Sequence, residues 1–144
     1  MTVAAMLKHK GHEVVSVHPT TTVADLAAVL TSHRIGAAVV LNDGGRLHGV
    51  VSERDIVVAL AAHGAATLDM TVDALMTHDV VTATRHTTVA QAMALMTEGR
   101  FRHLPVLDGD RLIGVISIGD VVKARMMAQE GEVESLRAYV AGAA

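Results

Sequence analysis

A chain of 144 residues that contains no cysteine and carries a formal net charge of -3 can bury one compact core, and it excludes disulfides, thiolate metal sites and cysteine nucleophiles. With no broad positive field and only Phe101 and Tyr139 able to stack on a base, a nucleic-acid partner is disfavoured. The longest unbroken apolar run, Ile56 to Ala62, is too short to cross a bilayer, and a cytoplasmic, non-membrane protein is expected.

Met1 to Lys10 lacks the basic-then-apolar order of a secretory signal and reads as a short opening helix. A β-rich run, Val14 to Val17, leads through a threonine-rich turn into a helix. Thr22-Val-Ala-Asp25 has capping-box spacing, and Val23, Leu26, Ala27 and Leu30 share one face. Two β runs follow, Ala37 to Leu41 and Leu47 to Val51, joined at Asn42-Asp43-Gly44-Gly45, and a second helix covers Glu53 to His63. Gly64 to Thr71 is a link with no Pro- or Ser-rich tether, which predicts two units held close.

The pattern then returns. Val80 to Ala83 is β-rich, and Thr88-Val-Ala-Gln91 opens a helix with Val89, Ala92, Met93 and Met96 on one face. Leu104 to Leu107 and Leu112 to Ile116 flank Asp108-Gly109-Asp110, and a helix spans Ile118 to Gln129. Beyond Gly131, Glu132 to Val140 reads as one more short helix carrying Val133, Leu136 and Val140 on one side. The predicted organisation is an N-terminal helix with a first repeat over 1–66, a second repeat over 67–130, and a helical tail over 131–144.

The repetition is visible residue by residue. His12, Val14, Val15, Thr21, Thr22, Val23, Arg34, Val40 and Leu41 meet identical residues at His78, Val80, Val81, Thr87, Thr88, Val89, Arg100, Val106 and Leu107. After one extra residue near Gly45, the heptad Gly49-Val-Val-Ser-Glu-Arg-Asp55 aligns with Gly114-Val-Ile-Ser-Ile-Gly-Asp120. Two copies of a β-α-β-β-α unit, each too small to bury its own apolar faces, are expected to pack on each other with pseudo-two-fold symmetry in an α+β fold.

Ser-x-x-Asp before an apolar stretch is first a helix-start signal, since the hydroxyl accepts from a backbone N–H and the carboxylate complements the positive helix end. In both copies a strand also runs straight into that start. This sets free N–H groups and a hydroxyl where a phosphate can sit, and a carboxylate where a ribose diol can donate. Glycines 49 and 114 have a second reading as sites of close strand packing.

The doubled β-α-β-β-α unit, closed by glycine, two apolar residues and Ser-x-x-Asp, resembles a tandem cystathionine-β-synthase (CBS) domain pair, or Bateman module, over about Glu13 to Lys123. Arg100 to Leu107 and Ser117 to Val122 carry the likeness. Arg34 to Val40, Ser52-Glu-Arg-Asp55 and the short chain resemble stand-alone bacterial CBS-pair proteins. The resemblance implies two clefts between the repeats, each able to take an adenosine nucleotide (AMP, ADP, ATP or NAD(H)) as a regulatory ligand, with no catalytic cofactor. Carried over, one cleft combines Ser52, Arg54 and Asp55 with Val80, Val81, Arg102, His103 and Leu104. The other combines Ser117 and Asp120 with Val14, Val15, Gly36 and Ala37.

Arg102 and His103 align with Gly36 and Ala37, and Arg54 aligns with Gly119, so the added positive charge falls in the first cleft and favours phosphates there. The second is expected to hold a less charged ligand or none. Against this, Arg54, Arg102 and His103 are also ordinary solvated positions. The implied role is sensing of energy or redox state, signalled to an unidentified protein partner by conformational change. The alternative is a constitutive scaffold subunit with vestigial clefts. An enzyme has little support, because no phosphate-binding Gly-rich loop, Ser-His-Asp set or paired carboxylates occur in one motif. Of nine histidines, only His9-x-x-His12 has short helical spacing and no carboxylate completes it, so no metal site is expected. Ile56 to Ala62 is apolar all round and Val121 to Ala128 nearly so, which predicts a homodimer.

Overall fold

A computed structural model describes residues 1–143. Two three-stranded sheets carry the repeats. In the first, β1 (Ser16–Val17) runs parallel to β2 (Ala37–Leu41), which pairs antiparallel with β3 (Leu47–Ser52). In the second, β4 (Ala83–Thr84), β5 (His103–Asp108) and β6 (Arg111–Ser117) repeat that order and those directions. Even the irregularity recurs, with a register shift after Val40 and after Val106. The fold is α+β, built from two matching units.

Helix α2 (Val23–His33) starts at Thr22, whose hydroxyl accepts from the Asp25 N–H at 3.2 Å. Its counterpart α5 (Val89–Gly99) has the reciprocal box, the Gln91 side chain accepting from the Thr88 N–H at 3.0 Å. Both helices end at an arginine in the left-handed region, Arg34 and Arg100, each with φ 55°. Non-glycine residues are uncommon there, and such strain gathers at functional sites. Helix α3 (Glu53–His63) has the span read from the sequence.

Four elements differ from expectation. Strands β1 and β4 are shorter and later than predicted, and Val14, Val15, Val80 and Val81, which precede them, line the clefts. A short helix α4 (Val72–Leu75) follows a 3-10 turn over Gly64–Asp69; its four residues are too few to show a period. Helix α6 (Ile118–Ala143) runs unbroken through Gly131, so the C-terminal segment continues α6 and forms no separate helix. One mid-helix glycine costs only about 1 kcal/mol.

The repeats are held together by an exchange of their opening helices. Helix α1 (Val3–Lys10) precedes the first repeat but buries Val3, Met6 and Leu7 in the core of the second, with Ala83, Leu104, Val106 and Ile116. Helix α4 precedes the second repeat and buries Val72 in the core of the first, beside Met76, Leu26, Val40 and Val51. Backbone bonds pin both: Val3 N–H to Thr87 O at 2.8 Å, and Val72 N–H to Thr21 O at 2.8 Å. The heptad glycines face these helices. A Cβ on Gly114 would stand 2.6 Å from Leu7 Cδ2, and one on Gly49 would stand 2.6 Å from Met76 Sδ and 2.7 Å from the Thr77 carbonyl. No larger residue fits either place without displacing the neighbour, so the close-packing reading of both glycines holds.

Candidate functional site

The two strand-to-helix junctions form the same local structure. Ser52 caps α3: its N–H and hydroxyl donate to Asp55 Oδ2 at 2.8 and 3.1 Å, and its oxygen accepts from the Asp55 N–H at 3.3 Å. Ser117 and Asp120 repeat this at 2.7, 2.9 and 3.2 Å. The next N–H along is taken too, Glu53 donating to Gly36 O at 2.9 Å and Ile118 to Arg102 O at 2.8 Å. Most of the N–H groups expected to be free for a phosphate are therefore used inside the fold. Any phosphate must be held chiefly by side chains, while among the described residues no hydrogen bond reaches Asp55 Oδ1.

Each junction opens into a cleft between the repeats. The first, about 550 Å³, is lined by Ser52, Arg54, Asp55, Val80, Val81, Arg102 and His103, which the sequence singled out, and by Glu53, Asp79, Arg100 and Phe101, which it did not. Leu104 is fully buried in the second-repeat core and does not line the cavity. The second cleft, about 420 Å³, brings together Val14, Val15, Gly36, Ala37, Ser117 and Asp120, with Lys10, Glu13 and Arg34 added. The clefts share a wall: Gly36, Ala37, Val50 and His103 line both.

The charges differ from the sequence expectation. The first cleft has three guanidiniums, on Arg54, Arg100 and Arg102. His103 adds no full charge at neutral pH, because burial and then the Lys10 ammonium lower its pKa below the ordinary 6.5, more than Asp120 and Glu53 raise it. The second cleft is not short of cations. Lys10, at the end of α1, donates from Nζ to Asp120 Oδ2 at 2.6 Å and to Val115 O at 2.7 Å. Burial alone would raise the Asp120 pKa, but the bond and charge of Lys10, with the Ser117 bonds, hold it below the ordinary 3.8. The carboxylate matching Asp55 thus already has an ammonium partner.

The sequence profile of the CBS domain matches residues 7–62 and again 72–127. The chain belongs to the CBS domain family. This CBS pair is 38% identical over 125 residues to "CBS domain-containing protein CBSX3, mitochondrial" from Arabidopsis thaliana, covering 84% of this chain and 61% of that protein. It spans between 57% and 65% of the length of three curated relatives that it matches. Among solved structures it is similar to the CBS-domain containing protein ATU1752 from Agrobacterium tumefaciens, at 47% identity and TM-score 0.84, covering 86% of this chain and 92% of that one. It also shares the fold of the CBS domain pair of protein MJ0100, solved in complex with 5'-methylthioadenosine and S-adenosyl-L-methionine. That likeness has 23% identity and TM-score 0.76, over 86% and 98% of the two chains.

Within this CBS pair, Arg100, Arg34 and Lys10 are the cationic site residues that sequence reasoning missed. The two arginines were visible as identical residues at matching places, and their role comes from the left-handed turn that aims each at a cleft. Lys10 had no such signal. It precedes the identical residues of the repeats, which begin at His12, and reaches Asp120 because α1 docks on the second repeat. The histidine pair His9 and His12 is not on one helix face, since α1 ends at Lys10 and His12 Nδ1 is bonded to Ile113 O at 2.8 Å.

Proposed function

We propose that this CBS pair is a non-catalytic regulatory module of the cytoplasm whose first cleft binds a phosphate-bearing adenosine nucleotide, with occupancy altering its contact with a protein partner. The observation that carries this reading is the meeting, around one 550 Å³ cavity, of the Asp55 carboxylate with Arg54, Arg100 and Arg102. A carboxylate accepts from a ribose diol, guanidiniums bond phosphate oxygens bidentately, and the volume suits a small ligand. The same fold holds adenosine compounds in the MJ0100 protein. Because the cavity wall comes from both repeats, a ligand bridging them favours one packing of the pair over another.

The test is a thermal-shift and calorimetric titration with AMP, ADP, ATP, NAD+ and NADH. A ligand that binds only the folded chain must raise its melting temperature. Asp55→Ala should abolish the shift for the ligand that binds, and the absence of any shift at millimolar nucleotide would leave a constitutive scaffold instead.

Lys10 makes the second cleft the weaker site in this reading, because a ribose there must displace an ammonium from Asp120. The pair is part-exposed, 37% and 27%, so it holds about 1 kcal/mol at most. Lys10→Met is expected to raise adenosine affinity in the second cleft by up to about fivefold, measured by calorimetry; no change would mean the lysine does not compete.

A homodimer belongs to the same proposal. Helix α3 buries only Ala59 and exposes Val57 (63%) and Val58 (61%), while α6 exposes Val122, Met126 and Met127. A second copy would cover these apolar faces. Light scattering should give a dimer mass for the native chain and a monomer mass for Val58→Glu, since an interface rejects an unpaired buried charge; a monomeric native chain at micromolar concentration would refute it.

A further inference from the structure

Outside the lining of both clefts, three side chains with metal-ligating atoms converge from separate elements. His48 lies on β3, Asp73 on α4 and His78 just after α4; each offers one ligand atom, and these atoms all lie within 4.8 Å of one another. His48 Nε2 is 3.4 Å from Asp73 Oδ1, and the two imidazoles meet edge to face with centroids 6.0 Å apart. We propose that this corner binds one divalent cation of the zinc class through His48, Asp73 and His78, with a fourth position left to water.

Two imidazoles and one carboxylate suit Zn2+, Co2+ or Ni2+, whereas Mg2+ and Ca2+ take oxygen ligands. Tetrahedral bonds of about 2.1 Å set neighbouring ligand atoms roughly 3.4 Å apart. The His48–Asp73 separation already has that value, and the other ligand atoms, all within 4.8 Å of one another, belong to exposed side chains that need to draw in by about 1.4 Å at most. The backbone beneath each ligand is fixed. His48 sits between Leu47 and Gly49, which pair with Leu41 and Val40. Asp73 N–H donates to Pro19 O at 3.0 Å, and Thr77, beside His78, exchanges two bonds with Val50 at 2.9 and 3.1 Å. Binding therefore orders side chains only.

The pseudo-symmetric corner serves as an internal control. There Ala4 N–H donates to Arg85 O, as Asp73 does to Pro19 O, and the residues matching His78 and His48 are His12 and Ile113. That corner is complete with one imidazole, bonded to the Ile113 carbonyl, and no carboxylate. The fold does not require the triad. His18 and Asp43 form another exposed pair at 2.6 Å, but the triad is the one group of three among the described residues. His78 also lies between Thr77 and Asp79, both in the wall of the first cleft, so a bound cation would hold that wall in place.

The test uses the tag-free, chelator-stripped chain titrated with Zn2+ by calorimetry and with Co2+ by visible absorption. The expected result is one Zn2+ per chain, a Zn2+-dependent rise in melting temperature and Co2+ bands of low coordination number. His48→Ala and His78→Ala should each weaken binding by more than about 100-fold, since losing even a ligand's second-shell support costs roughly 10- to 100-fold. Asp73→Asn should weaken it too, and His9→Ala should not. All three ligands are exposed, so metal-free melting of the variants reports whether they fold. Zn2+ affinity unchanged in the His48→Ala, His78→Ala double variant, or no binding tighter than millimolar, would overturn the proposal.

Discussion

Leu7→Ala is expected to lower the free energy of unfolding by about 2–5 kcal/mol, the range for emptying a fully buried aliphatic site. Leu7 is 0% exposed, although its helix precedes the identical residues by which the repeats align. It packs in the second-repeat core against the strand bearing Gly114, where a Cβ would approach Leu7 Cδ2 to 2.6 Å. That contact supplies a second, independent arm. Gly114→Ala alone should destabilise by about 1–3 kcal/mol through overpacking, and by less when Leu7 is already alanine, because the methyl then occupies the vacated space. Urea unfolding of the two single variants and the double would measure it. Additive losses, or a Leu7→Ala cost below about 1 kcal/mol, would mean that α1 does not dock as described.

What the sequence made legible was local. The strands β2, β3, β5 and β6 and the helix α3 lie within a residue of their predicted ends, and α2 and α5, which carry a helical period, start directly after the caps read at Thr22 and Thr88. What it hid depends on contacts between distant segments. The exchange of α1 and α4 leaves no period to read, because α4 has four residues. The sequence also placed more free N–H groups at the junctions than exist, since it could not show Gly36 O and Arg102 O reaching across to Glu53 and Ile118. In the same way, charge counted along the aligned repeats assigned no cation to the second cleft, and the docking of α1 brings Lys10 there. Cleft membership was more readable than cleft electrostatics, since membership follows from the repeat and electrostatics from how the repeats are assembled.

Arg102→Ala is expected to weaken AMP binding by about 1.5–3 kcal/mol, roughly 10- to 150-fold, the worth of a charge-assisted hydrogen bond, while leaving adenosine nearly unaffected. The junction amides are largely consumed by Asp55, Ser52 and Gly36, so side chains must supply the donors to phosphate. Arg102 is exposed and lines the cleft, and its carbonyl is tied to the Ile118 N–H at 2.8 Å, which fixes where the side chain starts. Its counterpart in the other repeat is Gly36, which brings no charge. His103 is the weaker source of charge, because burial and then Lys10 hold its pKa below the ordinary imidazole value. An exposed arginine contributes little to folding, so the melting temperature without ligand should stay within the effect of about 0.5 kcal/mol expected of a surface substitution. Calorimetry with AMP and adenosine on the native and variant chains separates the two roles: loss confined to AMP assigns Arg102 to the phosphate, and equal loss for both ligands would show that it shapes the cleft and does not hold charge.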